Sequence, residues 1–290
     1  MTTYIYALGF FDGVHLGHQA LLRAVKTLAP EGCRGVVTFS GHPDTLVLGT
    51  TPALINTAED RENLLRNYGM DRVVTLPFDK KKQSTPWEDF LEELRRDFGA
   101  GGFVCGEDFR FGAKGAGTAS LLQDYCEKEG LPCAVVPEQE MSGVRISSTY
   151  IRELLTQGRM AEADTFLGHP HVFTGEVVHG KQLGRTIGFP TANLILPPEI
   201  IVPAHGVYAT KDGESHMAVT NVGRRPTIDD GDQITVEPWI LNFDGDLYGQ
   251  PIRVEFYEHL RSEQKFGSLE ELTAMVHRNG EQTRAYFERR

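Results

Sequence analysis

The pattern of hydrophobic and polar positions has two textures, and they change near residue 170. Up to about Pro137, short runs rich in β-branched residues (YIYALGF, GVVTF, RVVTLPF, GFVCG, CAVVP) alternate with longer segments of helical period (HQALLRAVKTL, AEDRENLLRNY, PWEDFLEELRRDF, TASLLQDYCEKEG). The first kind fits buried strands and the second fits helices with one apolar face. Their alternation predicts an α/β domain, a parallel sheet covered by helices on both faces. SSTYIRELLTQG and RMAEADTFLG predict two further helices, and Gly168 to Pro170 a break.

From His171 to Phe256 the strand-like runs crowd together (VFTGEVVHG, GVYATKD, HMAVTNVG, QITVEPWILNF, PIRVEFYEHL), separated by Gly, Pro and Asp-Gly turns rather than helices. That spacing predicts an antiparallel barrel. The last segment, SLEELTAMVHRNGEQTRAYFERR, opens with Ser268 three residues before Glu271, a capping-box pattern ahead of a terminal helix. Two domains are expected, residues 1–168 and 171–290.

Composition narrows the function classes. At 290 residues, 40% hydrophobic and 24% charged, each half can bury its own core, and no apolar run is long enough to span a bilayer. The start, MTTYIYALGF, lacks the basic region and cleavage site of a secretory signal. Cys33, Cys105, Cys126 and Cys133 show no CxxC spacing and sit in or beside apolar segments, so reduced, mostly buried thiols and a cytoplasmic location are expected. A net charge of -11 argues against coating nucleic acid or anionic lipid through bulk charge, so any anion must be held by local devices.

One such device is GFFDGVHLGH, Gly9 to His18, where a strand gives way to a helix. A helix N-terminus offers unpaired N–H groups and the positive end of the helix dipole. Gly13 and Gly17 allow close backbone approach, and His15 and His18 add donors that gain positive charge if a polyphosphate raises their pKa. The bare spacing also fits a metal site or incidental turn histidines. In ISSTYIRELL, Ser147 and Ser148 stand at a helix start with Arg152 one turn in, a second hold for a polyphosphate or an ordinary serine cap beside a solvated arginine. GEDFRFGAKGAG sets Asp108, Phe109 and Phe111 among glycines, in a loop that holds a planar ring or plugs the core.

These blocks, followed by GKQLGRTIGFPTANL, GVYA, TNVGRRPT and FDGDLYGQPIRVEF, occur in the order found in the bifunctional prokaryotic riboflavin kinase/FMN adenylyltransferases, also called FAD synthetases. The chain resembles that family from about Tyr4 to about Leu272. The resemblance implies a Rossmann-like nucleotidylyltransferase domain that makes FAD from FMN and ATP with release of pyrophosphate, then a riboflavin kinase-like β-barrel with a terminal helix that makes FMN from riboflavin and ATP. It implies that His15 and His18 stabilise the α-phosphate while Ser147, Ser148 and Arg152 grip ATP from the other side. Flavin contacts fall on Asp108, Phe109, Phe111 and Arg261. Thr191 and Asn193 of PTAN would help hold Mg2+, Gly180, Lys181 and Gly188 would close over a triphosphate, and Glu237 would take the proton of the riboflavin alcohol. Riboflavin, FMN, FAD and ATP are then the partners, with no nucleic acid and no membrane.

The sequence departs from the family pattern after Glu237, where Pro238 and Trp239 replace a polar or small residue and a histidine. Proline removes a strand hydrogen bond, so an edge or a bulge is expected there. FSGHP, Phe39 to Pro43, is a smaller departure. Two other readings stay open: a nucleotidylyltransferase acting on a non-flavin phosphate with a binding module attached, and a non-catalytic flavin-binding protein.

Overall fold

The computed structural model describes residues 3–42, 45, 52–179, 188–226 and 232–290. The chain forms two compact units, Met1–Ala53 with Arg61–Ser148, and Leu54–Asp60 with Thr149–Arg290.

In the first unit β1 (Tyr4–Leu8), α1 (Leu16–Leu28), β2 (Arg34–Phe39), α2 (Ala58–Asn67), β3 (Arg72–Leu76), α3 (Trp87–Phe98), β4 (Ala100–Gly106), α4 (Ala119–Glu129) and β5 (Cys133–Val136) follow the predicted alternation. The strands form a parallel sheet in the order β3-β2-β1-β4-β5. Side chains alternate across it. Tyr6, Leu8, Phe103 and Cys105 share one buried cluster with Phe90, Leu91 and Leu94 of α3 and Leu122 and Cys126 of α4. Helix α1 packs on β1, β2, β4 and β5 and buries Leu22 and Val25 outside that cluster, on the opposite face. The strand order reverses between β1 and β4. Loops leaving the carboxyl ends of such a pair diverge and open a crevice, and here those loops are GFFDGVH and GEDFRFG.

The second unit takes Leu54–Asp60, then α5 (Ser148–Thr156) from Thr149 onward, and α6 (Met160–Leu167). Then come β6 (His171–Glu176), β7 (Leu194–Ile195), β8 (Gly206–Asp212), β9 (Met217–Pro226), β10 (Asp232–Ile240), β11 (Pro251–Ser262) and α7 (Leu269–Glu288). The six strands pair antiparallel in the order β6-β11-β8-β9-β10-β7. Val178 N–H donates to Asn193 C=O at 2.8 Å, joining the chain after β6 to the chain before β7 and nearly closing the barrel. Tyr208 and Phe256 meet edge to face at 5.4 Å in its core. The two-residue β7 follows directly on PTAN and is too short for a periodicity of its own.

Ser268 caps α7 by accepting from Glu271 N–H at 3.2 Å, while the Glu271 carboxylate accepts from Gly267 N–H at 2.8 Å, one residue earlier than the usual reciprocal bond. The pairing of β9 with β10 runs through Pro238 without a register shift, so there is no bulge. Pro238 C=O accepts from Ala192 N–H, so the N–H it lacks also faces the side where β7 is already finished. Proline is tolerated because that position behaves as an edge. All four cysteines are free, but only Cys105 and Cys126 are buried; Cys33 and Cys133 are partly exposed. Among the described residues no helix is long and apolar enough to cross a membrane.

Residues 54–60 belong to the second unit through side chains that no pattern announces. Asn56 Nδ2 donates to Val172 C=O, and the Asp60 carboxylate accepts from both the hydroxyl and the N–H of Thr174. In the same unit Asp164 is 8% exposed; one carboxyl oxygen accepts from His171 N–H at 2.9 Å and the other is buried without a partner. Burial pushes its pKa up to about 8 and pulls His171 down to about 3. A carboxyl with a raised folded pKa contributes stability at low pH that is lost as pH climbs from about 4 through about 8. Asp164→Asn keeps the bond to His171 and removes the titration. Thermal unfolding at pH 6 and pH 9 should show the variant gaining on the parent as pH rises; a pH-independent difference contradicts this.

Candidate active site

Helix α1 starts at the carboxyl end of β1 through a turn that few sequences accept. Phe11 and Gly13 lie at φ 61° and 82°, and Asp12, Gly13 and Val14 are buried. His15 is the N-cap of α1, and its Nδ1 accepts the backbone N–H of His18 at 3.3 Å. That bond puts the proton of the neutral ring on Nε2, which makes Nε2 a donor. The two imidazoles stack with centroids 3.7 Å apart and planes at 15°. His18 Nδ1 is buried without a hydrogen-bond partner. Burial first, then His15 and the Arg61 guanidinium, hold the His18 pKa well below its ordinary value, so the ring is neutral at pH 7. Gly17 is needed for close approach, since a Cβ there would lie 3.1 Å from the His15 ring.

The serine motif, distant in sequence, arrives at the same turn. Ser148 Oγ donates to Asp12 C=O at 2.9 Å, so this hydroxyl fastens the start of α5 to the turn. A cavity of about 180 Å³ is lined by His15, Gly17, His18, Asp108, Ser147 and Ser148 among others. The helix that Ser148 opens continues into the second unit, and Arg152 lies there. The loop after β4 is tied to the strand before the serines by Arg145, which bridges Asp108 at 2.6 Å and Glu138 at 2.5 Å. Asp108 is thus engaged with a cation rather than presented alone.

Beside this cavity lies a larger one, about 1390 Å³, walled by Phe10, Phe39, Phe78, Phe109 and Phe111, with Lys82 and His18 at its edge. The rings of Phe109 and Phe111 are parallel, 5.5 Å apart. Phe111 is 7% exposed and packs edge-on against Trp87, so it plugs the core, whereas Phe109 is only partly buried. Of the two alternatives for the loop, Phe111 realises the core plug, while Phe109 lines the cavity with part of its ring exposed.

In the second unit a cavity of about 470 Å³ is lined by Val177, Thr191, Pro238, Phe243, Asp244, Asp246 and Tyr248. Thr191 is on its wall; Asn193 is 7% exposed, and its amide N–H donates to Thr191 C=O at 3.4 Å, which fixes the orientation of the amide. Pro238 and Ile240 line this cavity, so by strand alternation Glu237 and Trp239 lie on the other face of β10. Thr235 Oγ1 donates to Glu237 Oε1 at 3.0 Å, steadying the carboxylate. Gly188 has φ 87°; Gly180 and Lys181 lie outside the described residues.

Helix α7 bears on three parts of this region. His277 packs edge-on against Phe189 at 4.9 Å, Asn279 accepts from Arg261 Nε at 3.2 Å, and Gly280 leaves room for Trp239, whose ring a Cβ would approach to 3.2 Å. Phe189 in turn meets Trp239 at 4.8 Å. The indole that departs from the family pattern therefore has a fitted place.

Comparison with known proteins agrees with this layout. The FAD synthetase family model matches residues 2–150 and the riboflavin kinase model residues 167–287. Proteins described as bifunctional riboflavin kinase/FMN adenylyltransferase are 33% identical in Listeria monocytogenes and 36% identical in Bacillus subtilis, each aligned over 98% of this chain and 92% of the relative. The chain belongs to the bifunctional riboflavin kinase/FMN adenylyltransferase family. The Escherichia coli K12 member of the family is 36% identical over 98% of this chain and 92% of its own length. A solved structure described as a macrolide-efflux protein from Streptococcus pneumoniae is 32% identical with a TM-score of 0.85, covering 98% of this chain and 94% of that one.

Within this family frame, the sequence reading passed over Asp12, Arg61, Asp244 and Asp246. The signal for Arg61 was present: it shares an i, i+3, i+4 stripe of α2 with buried Leu64 and Leu65 and is itself 2% exposed. A charge on the apolar face of a helix calls for an explanation.

Gly112, on the wall of the large cavity, offers a direct check of the loop geometry. Its φ is 70°, and a Cβ would stand 2.5–2.7 Å from Trp87, including backbone atoms. Gly112→Ala should destabilise the protein by more than about 2 kcal/mol in denaturant unfolding; an unchanged midpoint contradicts the packing described.

Proposed function

We propose that this chain converts riboflavin to FMN in its second unit and FMN to FAD in its first, with His15, His18, Ser147 and Ser148 serving adenylyl transfer and Glu237, Thr191 and Asn193 serving the kinase. The observation that carries the reading is the imidazole pair stacked on the N-terminus of α1, joined to the serine motif through the bond from Ser148 to Asp12. We assign adenylyl transfer to residues 1–168 and the kinase to residues 171–290. Four free cysteines support a cytoplasmic location.

At the first site the nucleophile is the FMN phosphate, whose second pKa is about 6, so it is largely dianionic at neutral pH and no protein base is required. An oxygen of that phosphate attacks the α-phosphorus of ATP, and the bond to pyrophosphate breaks. Charge moves onto the α-phosphate oxygens and the leaving pyrophosphate. The first-turn N–H groups of α1 and the Nε2–H of His15 are fixed donors for that charge, and His18, neutral in the free protein, takes up a proton more readily once a triphosphate lies beside it. Arg152 enters on the SSTxIR pattern. The aromatic cavity accepts the isoalloxazine, with Phe109 as its stacking face and Asp108 near its mouth.

At the second site Glu237 takes the proton of the riboflavin primary alcohol as its oxygen bonds to the γ-phosphorus, and ADP leaves. The bond from Thr235 occupies one carboxylate oxygen, which leaves the other to take the proton. Thr191 and Asn193 supply hard oxygen donors, which suit Mg2+, an ion that keeps waters and phosphates as most of its ligands. Among the described residues no group of three or more His, Cys, Asp or Glu side chains could hold a metal, so such an ion would depend on the nucleotide for its remaining ligands. Bound there, it neutralises phosphate charge. Arg261 and Gly188 are assigned to flavin and phosphate contact, alongside Gly180 and Lys181.

The two sites should separate by mutation. With riboflavin, ATP and Mg2+ supplied and products resolved by chromatography, His18→Ala should lower FAD formation at least about 10²-fold while FMN accumulates. Glu237→Gln should abolish FMN synthesis and leave the conversion of added FMN intact. Equal loss of both products in either variant contradicts the assignment.

A further inference from the structure

We propose that Arg61 anchors the phosphate of the flavin nucleotide at the adenylyl-transfer site. The proposal rests on the functional reading above and assigns a residue that no motif contains.

Arg61 projects from α2 into the interior and is 2% exposed. Its Nη2 donates to Phe39 C=O at 2.8 Å, and the guanidinium lies over the Phe10 ring, 4.4 Å from the centroid. Its Nη1 is buried with no hydrogen-bond partner. Burying a guanidinium is unfavourable unless its donors are met, so an unmet donor beside a substrate cavity calls for a ligand. Asp12 supplies opposing charge, which explains how the cation survives burial but leaves Nη1 unsatisfied.

The surroundings select the ligand. Phe10 and Phe39, the two residues that hold the guanidinium, both line the 1390 Å³ aromatic cavity together with His18. Thr38 Oγ1 donates to Phe10 C=O at 2.8 Å, fixing the backbone at this point. Arg61 and His15 both oppose a proton on His18. A dianion among these groups turns the repulsion into attraction. The cavity is broad enough for a fused aromatic ring system, and its His18 end is where adenylyl transfer takes place. A phosphate ester attached to a flavin reaches both requirements at once, with Phe10 as the ring that yields to admit it. The anchor also supplies a reason for the site to take phosphorylated flavin in preference to riboflavin.

The test uses the full chain, with FMN and ATP varied separately and lumiflavin, which has no chain to phosphorylate, as competitor against FMN. Arg61→Met should raise the KM for FMN at least about tenfold, as expected for loss of a charge-assisted bond. The KM for ATP, the inhibition constant of lumiflavin and the riboflavin kinase rate should stay within about twofold. Arg61→Lys, which keeps the charge but not the fork, should fall between. An unchanged KM for FMN in both variants overturns the proposal. So does a parallel loss of FMN and lumiflavin binding in both, since that marks a damaged fold rather than a lost phosphate contact. If the parent enzyme makes no FAD from FMN, the functional reading itself fails, a result distinct from either.

Discussion

The N-terminus of α1 is the constraint on which the first unit depends. A helix begins with N–H groups that its own backbone cannot satisfy. Here one of them, on His18, is met by the His15 ring, and that bond determines which imidazole nitrogen is left as a donor. Stacked at 3.7 Å, the two rings cannot both carry a proton without strong repulsion. Burial and its neighbours keep His18 neutral in the free protein, and the pair is suited to an incoming polyanion. The buried turn before it, the glycine inside it and the bond from Ser148 all keep this short segment in place.

The sheet brings the remaining parts to that helix end. With β1 and β4 adjacent and their following loops diverging, an acidic and aromatic loop from one strand faces a histidine turn from the other. The antiparallel unit solves a different problem. Leu194 pairs with Val236, so Asn193 of the PTAN segment falls opposite the proposed base Glu237, and the bond from Ala192 to Pro238 carries that pairing onward. A proline that would weaken most strands is harmless at a position whose outer neighbour has ended. Helix α7 then holds Phe189, Trp239 and Arg261 in one arrangement through His277, Gly280 and Asn279.

Much of this was legible in the sequence because the signals were local. Strand and helix runs, the Ser268 cap and the helix-start position of HxGH all follow from spacing within a dozen residues. The HxGH and SSTxIR motifs were recognisable separately, but their meeting through a serine hydroxyl and a backbone carbonyl was not, since nothing in either motif encodes the distance between them. Long-range anchors such as Asp60 to Thr174 escaped for the same reason. Arg61 escaped because its residue type is common on helices and only its place on a buried stripe is unusual. The different fates of Phe109 and Phe111 depend on Trp87, which lies in another element.

The central claim concerns the protonation of His18. Imidazole nitrogen shifts measured by NMR across pH 5 to 8, with and without a nonhydrolysable ATP analogue and Mg2+, report it directly. The account predicts a His18 that titrates well below its ordinary value in the free protein and takes up a proton more readily once the analogue is bound. A His18 that titrates at its ordinary value in the free protein, or ignores the analogue, would contradict it.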